Sequence, residues 1–196
     1  FLNKVYGGAY APGSIVKPFM AYAALAEHVV TPDTVIVSPG YLLLPNPYDP
    51  AHPTKFLDWR AQGPMTIRQA IAYSSDVYFY EVGGGFEDQP GLGITKIKQY
   101  MNMFGFGSKT GIILSGEQAG IVPSPAWKKE VFNDDCRLGD TYHSSIGQFG
   151  WLVTPLQMVR AYAAIANGGK LLLPQVIKGA VASSTDLHLD PTDLEV

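Results

Sequence analysis

With Cys136 as the single cysteine in 196 residues, the chain has no internal disulfide, and its redox compartment is left undecided. Charge is sparse as well. Lys and Arg number 14 against 17 Asp and Glu, a formal net charge of −3, and no basic run is present. A nucleic-acid groove or an anionic membrane patch needs such a run, so neither partner is favoured. No apolar stretch approaches the ~20 residues that span a bilayer, no secretory leader is visible, and no internal repeat recurs. The first residue is Phe1 rather than Met, so the chain reads as a piece of a longer protein. What it does have is apolar content. At 46% hydrophobic, a chain of this length can bury a sizeable core, enough for one domain or most of one.

The stretch with the most chemistry is Ala11-Pro12-Gly13-Ser14-Ile15-Val16-Lys17-Pro18-Phe19. Pro12-Gly13 is a turn signal, and Ile15, Phe19, Tyr22, Ala23, Ala26 and Val29 recur at helical spacing, which predicts a helix from about Ser14 to Val29. A serine there lies beside unpaired backbone N–H groups and the positive end of the helix dipole, where a developing oxyanion is stabilised. Lys17, three residues on, rises from the same helix face. By itself the Ser-x-x-Lys tetrad is weak evidence, because most serines at helix starts are only N-caps.

A second element, Ser74-Ser75-Asp76, follows 60 positions after Ser14 and again lies between two helix-like segments. Further strings are Tyr-Ala-Pro-Gly-Ser (10–14), Phe-Gly-Phe-Gly (104–107), Ser-Ile-Gly-Gln (145–148) and Val-Thr-Pro-Leu-Gln-Met (153–158). On these residues the chain resembles the transpeptidase domain of class B penicillin-binding proteins, marked by S-x-x-K, then S-x-N or S-x-D, then K-[ST]-G. Asp76 in place of asparagine resembles the cell-elongation type.

The resemblance implies an α+β, helix-dominated fragment of the serine β-lactamase and transpeptidase fold, with most of the central antiparallel sheet outside this chain. It implies Ser14 as nucleophile, Lys17 as general base, Ser74 as proton relay, and Asp76 as a group holding Lys17 or the substrate amide. No cofactor or metal is expected. The partners it implies are a peptidoglycan stem peptide ending in D-Ala-D-Ala, β-lactam antibiotics and other cell-wall synthesis proteins. It places the domain on the outer face of the bacterial cell membrane, anchored by an N-terminal helix not in this chain. Two other readings stay open. A class A β-lactamase rests on a Glu-x-x-Leu-Asn element that Glu130-Val131-Phe132-Asn133 matches poorly. A non-catalytic β-lactam sensor or scaffold remains possible because the third motif is not found in its place.

Lys109-Thr110-Gly111 spells that third motif, but it follows Asp76 by only 33 positions, in a glycine-rich loop without strand character. It is read as structural; the true K-[ST]-G belongs on a strand well after Asn167-Gly168-Gly169, where none occurs, so either the chain stops short of it or the protein lacks it. Asp134, Asp135, Cys136, Asp140 and His143 are metal-ligand types, but none follow zinc spacing, and the segment is read as a polar loop. Asp49, His52 and Asp58 are the better metal candidates, because the resemblance implies that elongation-type relatives can hold zinc in the corresponding loop. Against this, Ser75 stands where some relatives carry cysteine. Phe149 after Gly147-Gln148 departs from the usual glycine and puts the shape of the nearby cleft in doubt.

Along the rest of the chain, Lys4-Val5-Tyr6 reads as the end of a strand. The proline-dense stretch 33–63 reads as an extended, irregular excursion. Thr66-Ile67-Arg68-Gln69 and Thr154-Pro155-Leu156-Gln157 are capping-box starts. Residues 77–82 and 94–104 read as buried and amphipathic helices, and Ser124-Pro125 as a short helical turn through Trp127. Residues 170–181 read as extended and 182–196 as a mobile tail.

Overall fold

The computed structural model describes residues 2–46, 48–181 and 183–196; Phe1, Pro47 and Ala182, the first residue of the expected tail, lie outside the described residues. A 3₁₀ turn, Gly13–Val16, leads into α1, Lys17–Ala26. The expected single helix from Ser14 is therefore two segments, and the change of pitch falls at Lys17. Helix α1 is the core element: Phe19, Met20, Ala23 and Ala24 are fully buried. The Phe19 ring meets Phe104, Phe106 and Tyr162 at centroid distances of 4.9, 5.3 and 4.9 Å. A helix apolar on nearly every side must be central, and α1 is wrapped by α2, Ile67–Tyr73, α3, Asp76–Gly84, and α4, Gly93–Met103.

The capping box at Thr66 forms as read: the Thr66 N–H donates to Gln69 Oε1 at 2.9 Å, and α2 starts at the next residue. The excursion before it is more ordered than expected. It folds into two antiparallel ribbons, β1, Ile36–Ser38, with β4, Gly63–Met65, and β2, Tyr41–Leu44, with β3, Thr54–Leu57. Prolines are tolerated because Pro39, Pro45 and Pro53 lie between strands and, among the described residues, only Pro64 lies within one. Leu42 and Phe56 point from the second ribbon into a smaller apolar cluster with Val77, Tyr80 and Tyr142.

Helix α5, Pro125–Phe132, is longer than the expected turn. The polar loop reading of 134–143 is corrected by α6, Leu138–Ser145, whose start is fixed by the Arg137 N–H donating to Asp140 Oδ2 at 2.7 Å. This helix lies very close to α3. A Cβ built on Gly83 would meet Ser145 Cβ at 2.4 Å, and one on Gly84 would meet the Tyr142 ring at 2.4 Å. Helix α7, Pro155–Ala166, begins at its Thr154–Gln157 capping box as read.

Two expectations differ at the termini. Residues 4–7 form a turn rather than a strand, and Tyr10 makes an isolated antiparallel bridge with Val153. The segment expected to be mobile packs on the body instead. Strand β5, Lys170–Leu172, pairs with β6, Ser184–Asp186, and a short helix α8, Pro191–Leu194, follows. Leu189 is buried, the Leu187 N–H donates to Gly169 O at 2.8 Å, and the Asp190 N–H donates to the Tyr22 hydroxyl at 3.0 Å.

Candidate active site

Ser14 lies exposed in the 3₁₀ turn, where first-turn N–H groups have no intrahelical acceptor. The turn is pressed against the segment after α6: the Gly13 N–H donates to Gly147 O at 3.1 Å, and a Cβ on Gly147 would stand 2.3 Å from Gly13 O. Lys17, at the first position of α1, is 1% exposed. Its ammonium has three donors, and three acceptors take them: Ser74 O at 2.8 Å, Ser74 Oγ at 3.1 Å and Asp76 Oδ1 at 2.6 Å. The fold thus joins the Ser-x-x-Lys and Ser-x-Asp elements through one buried amine.

Two helix ends make this meeting possible. Ser74 caps the C-terminus of α2 in the left-handed region, φ 55° and ψ 44°, and Ser75 caps the N-terminus of α3, its Oγ accepting from the Tyr78 N–H at 3.3 Å. The reversal between the two helices turns the Ser74 carbonyl and hydroxyl and the Asp76 carboxylate toward α1. Burial pushes the Lys17 pKa below that of a free lysine, and its bond to Asp76 and the charges of Asp76 and Asp58 only partly restore it. A buried lysine with a lowered pKa is suited to proton abstraction.

Asp58 belongs to this site in a way the sequence did not suggest. It is 8% exposed and accepts from Ser38 Oγ at 2.9 Å, Ser75 Oγ at 2.6 Å and the Val77 N–H at 3.2 Å. Asp49 and His52 pair with each other at 2.9 Å in the exposed β2–β3 connection. The three weighed as metal ligands are therefore not gathered, and among the described residues no group of three or more His, Cys, Asp or Glu stands close enough to hold a metal ion. Asp134 and Asp140 instead flank Lys128, at 3.2 and 2.6 Å, and His143 packs on the Phe56 ring at 5.3 Å.

Lys109 is exposed, and its loop is tied from within. Glu117, 7% exposed, accepts from the N–H and hydroxyl of Thr110 and from the Gly111 N–H, while the Gln157 amide donates to Ser108 O and Ala119 O at 2.8 and 2.7 Å. No strand runs through it. Phe149, two residues after the Gly147 that meets Gly13, takes φ 63°, a conformation costly for a residue with a Cβ. Its ring is edge-on to Trp127 at 5.6 Å, and Lys128 Nζ stands 5.7 Å from its centre.

Residues 1–195 match the family model described as the penicillin binding protein transpeptidase domain. The chain is 38% identical over 191 residues to the peptidoglycan D,D-transpeptidase MrdA of Haemophilus influenzae, covering 96% of this chain and 28% of that protein. It is 32% identical over 178 residues to MrdA of Escherichia coli K12, covering 90% and 26%. Among solved structures it superposes on Pseudomonas aeruginosa PBP2 in complex with WCK 5153 with a TM-score of 0.86 at 33% identity, over 98% of this chain and 44% of that one. Helicobacter pylori PBP2 in complex with MreC gives 0.85 at 34% identity, over 99% and 34%. The chain thus spans just over a quarter of the length of the MrdA relatives it matches, with the transpeptidase and β-lactamase-like fold of the PBP2 structures. It belongs to the penicillin-binding protein transpeptidase family, and within that family it is similar to the elongation-type PBP2 and MrdA proteins.

Proposed function

We propose that this chain carries the acylating residues of a peptidoglycan D,D-transpeptidase, with Ser14 as nucleophile. The observation that supports it best is the buried Lys17 amine, one turn from the exposed Ser14 and held by Ser74 and Asp76. With Lys17 neutral, two N–H bonds remain for the Ser74 carbonyl and Asp76, and the lone pair is free to take the Ser14 proton. Ser14 Oγ bonds to the penultimate D-Ala carbonyl carbon, and the resulting oxyanion accepts from the Ser14 N–H. Ser74, whose Oγ is bonded to Lys17, passes a proton to the departing amine as the peptide C–N bond breaks and D-Ala leaves. An amine of a second stem peptide then attacks the ester carbonyl, its proton passes through Ser74 and Lys17 to Ser14 Oγ as the ester C–O bond breaks, and the new amide is the cross-link.

A second oxyanion donor and a strand carrying K-[ST]-G are part of this proposal and are assigned to residues outside the chain. So are a membrane anchor, a place on the outer face of the cell membrane, and partners in cell-wall synthesis of the kind that Helicobacter pylori PBP2 has in its complex with MreC. β-Lactams, as mimics of the D-Ala-D-Ala end, acylate the same serine. Intact-protein mass spectrometry of the full-length protein after exposure to a penicillin tests the assignment. The adduct is expected on Ser14 and absent from Ser14→Ala; an adduct kept by that variant, or mapped to another serine, refutes it.

A further inference from the structure

Asp58 has more donors aimed at it than a structural carboxylate needs, and they come from three parts of the fold. Its Oδ2 accepts from Ser38 Oγ at the end of β1, from Ser75 Oγ and from the Val77 N–H in the first turn of α3. Its Oδ1 accepts from the Trp59 N–H at 2.9 Å and from Gln62 Nε2 at 3.2 Å. Gln62 commits its amide to this bond, although its own Oε1 is left buried without a partner among the described residues. Burial opposes the Asp58 charge, yet the bonds from Ser75, from the backbone of Asp76 and Val77 and from Ser38 hold its pKa below the usual carboxylate range. The group is a fixed anion next to the reacting residues.

What it fixes is the reversal at Ser74 to Asp76. Ser74 is left-handed, a state that a residue with a Cβ keeps only when its surroundings impose it. The Ser75 hydroxyl is committed in both directions, accepting from Tyr78 N–H and donating to Asp58, so the reversal cannot rotate without breaking the 2.6 Å bond. We propose that Asp58 is a positioning residue for acylation: by gripping the Ser75 hydroxyl and the start of α3, it holds Ser74 and Asp76 at their bonding distances from Lys17. The proposal rests on the acyl-transfer reading above. It also gives Asp58 an electrostatic role, since Asp76 on α3 and Asp58 after β3 are the two carboxylates whose charge Lys17 feels.

The test is Asp58→Asn in the full-length protein, labelled with a fluorescent penicillin across a pH series. The labelled fraction at saturation is expected to stay at the wild-type value, while the second-order rate constant falls about 10- to 100-fold, the range a misplaced reacting group produces. The acid limb of the rate profile should move to lower pH, because one of two anions favouring protonated Lys17 is gone. A merely structural role lowers the labelled fraction and leaves rate and acid limb unchanged, and that result overturns the proposal, as does wild-type behaviour throughout. If Asp58→Asn does not fold, Ser75→Ala and Ser38→Ala decide: Ser75→Ala must slow labelling several-fold more than Ser38→Ala, and equal effects refute the positioning role. Wild-type protein that takes no label at Ser14 instead removes the acyl-transfer reading, and this proposal falls with it.

Discussion

Glu117→Ala separates a structural Lys109-Thr110-Gly111 from a catalytic one. The Glu117 carboxylate accepts from the Thr110 N–H at 2.7 Å, from the Thr110 hydroxyl and from the Gly111 N–H at 3.2 Å. Thr110 is 3% exposed, so its N–H loses its only acceptor to no water, whereas Gly111 is exposed and recovers one from solvent. A bond to a charged acceptor is worth about 1.5–3 kcal/mol, and stranding a buried donor costs about 1–3 kcal/mol. Removing the charge returns part of its own burial cost, so the net loss is about 2–4 kcal/mol. At ~2–4 °C per kcal/mol for a domain of this size, the midpoint should fall by about 4–16 °C. Below the transition, the rate of penicillin labelling per folded molecule should stay within a few-fold of wild type. Glu117→Gln should fall between, because one of the two oxygens still accepts while the other becomes an NH₂ group that cannot. Lys109→Ala should change neither stability nor labelling. Thermal denaturation and labelling of the same samples measure both quantities. Should Lys109→Ala slow labelling by orders of magnitude, or Glu117→Ala abolish it without lowering the midpoint, the loop is part of the reacting site and the reasoning is wrong.

Asp76→Asn keeps an acceptor for Lys17 but removes the charge; burial then lowers the Lys17 pKa unopposed by Asp76, and the acid limb of the labelling profile should move to lower pH. A shift to higher pH would contradict the assignment of that limb to Lys17. Phe149→Ala and Phe149→Gly both lose the ring contacts with Trp127 and Lys128, but only glycine relieves φ 63°; urea titration should find Phe149→Gly more stable by about 1 kcal/mol. Equal stabilities would mean the backbone there carries no strain. Leu189→Ala should destabilise by about 2–5 kcal/mol if the terminal segment is packed, and by almost nothing if it is free.

Much of the site could be read without coordinates because its signals are local. Pro12-Gly13 before an apolar helical period places Ser14 and Lys17 one turn apart, and the capping boxes at Thr66 and Thr154 start α2 and α7 where they occur. Spacing from Asp76 and likeness to a structural loop of the family are what set the Lys109 loop aside, and Lys109→Ala tests that reading. Other features depend on partners distant in the chain. The β2–β3 ribbon exists because Leu42 and Phe56 have α3 and α6 to pack against, and the β1–β4 ribbon because Ile36 and Met65 join the main core, which no local pattern records. Helix α6 carries little apolar periodicity because Gly83 and Gly84 bring α3 so near that the contact is made by Tyr142 and Ser145. The terminal segment is held by Gly169 and Tyr22, the latter 168 positions from Asp190, so its polar composition suggested mobility. By resemblance to elongation-type relatives, Asp58 is a metal candidate. Only the packing of β1, β3 and α3 around it shows that hydroxyls and amides already fill its coordination, because a sequence specifies donors and acceptors while the tertiary fold alone decides which of them meet.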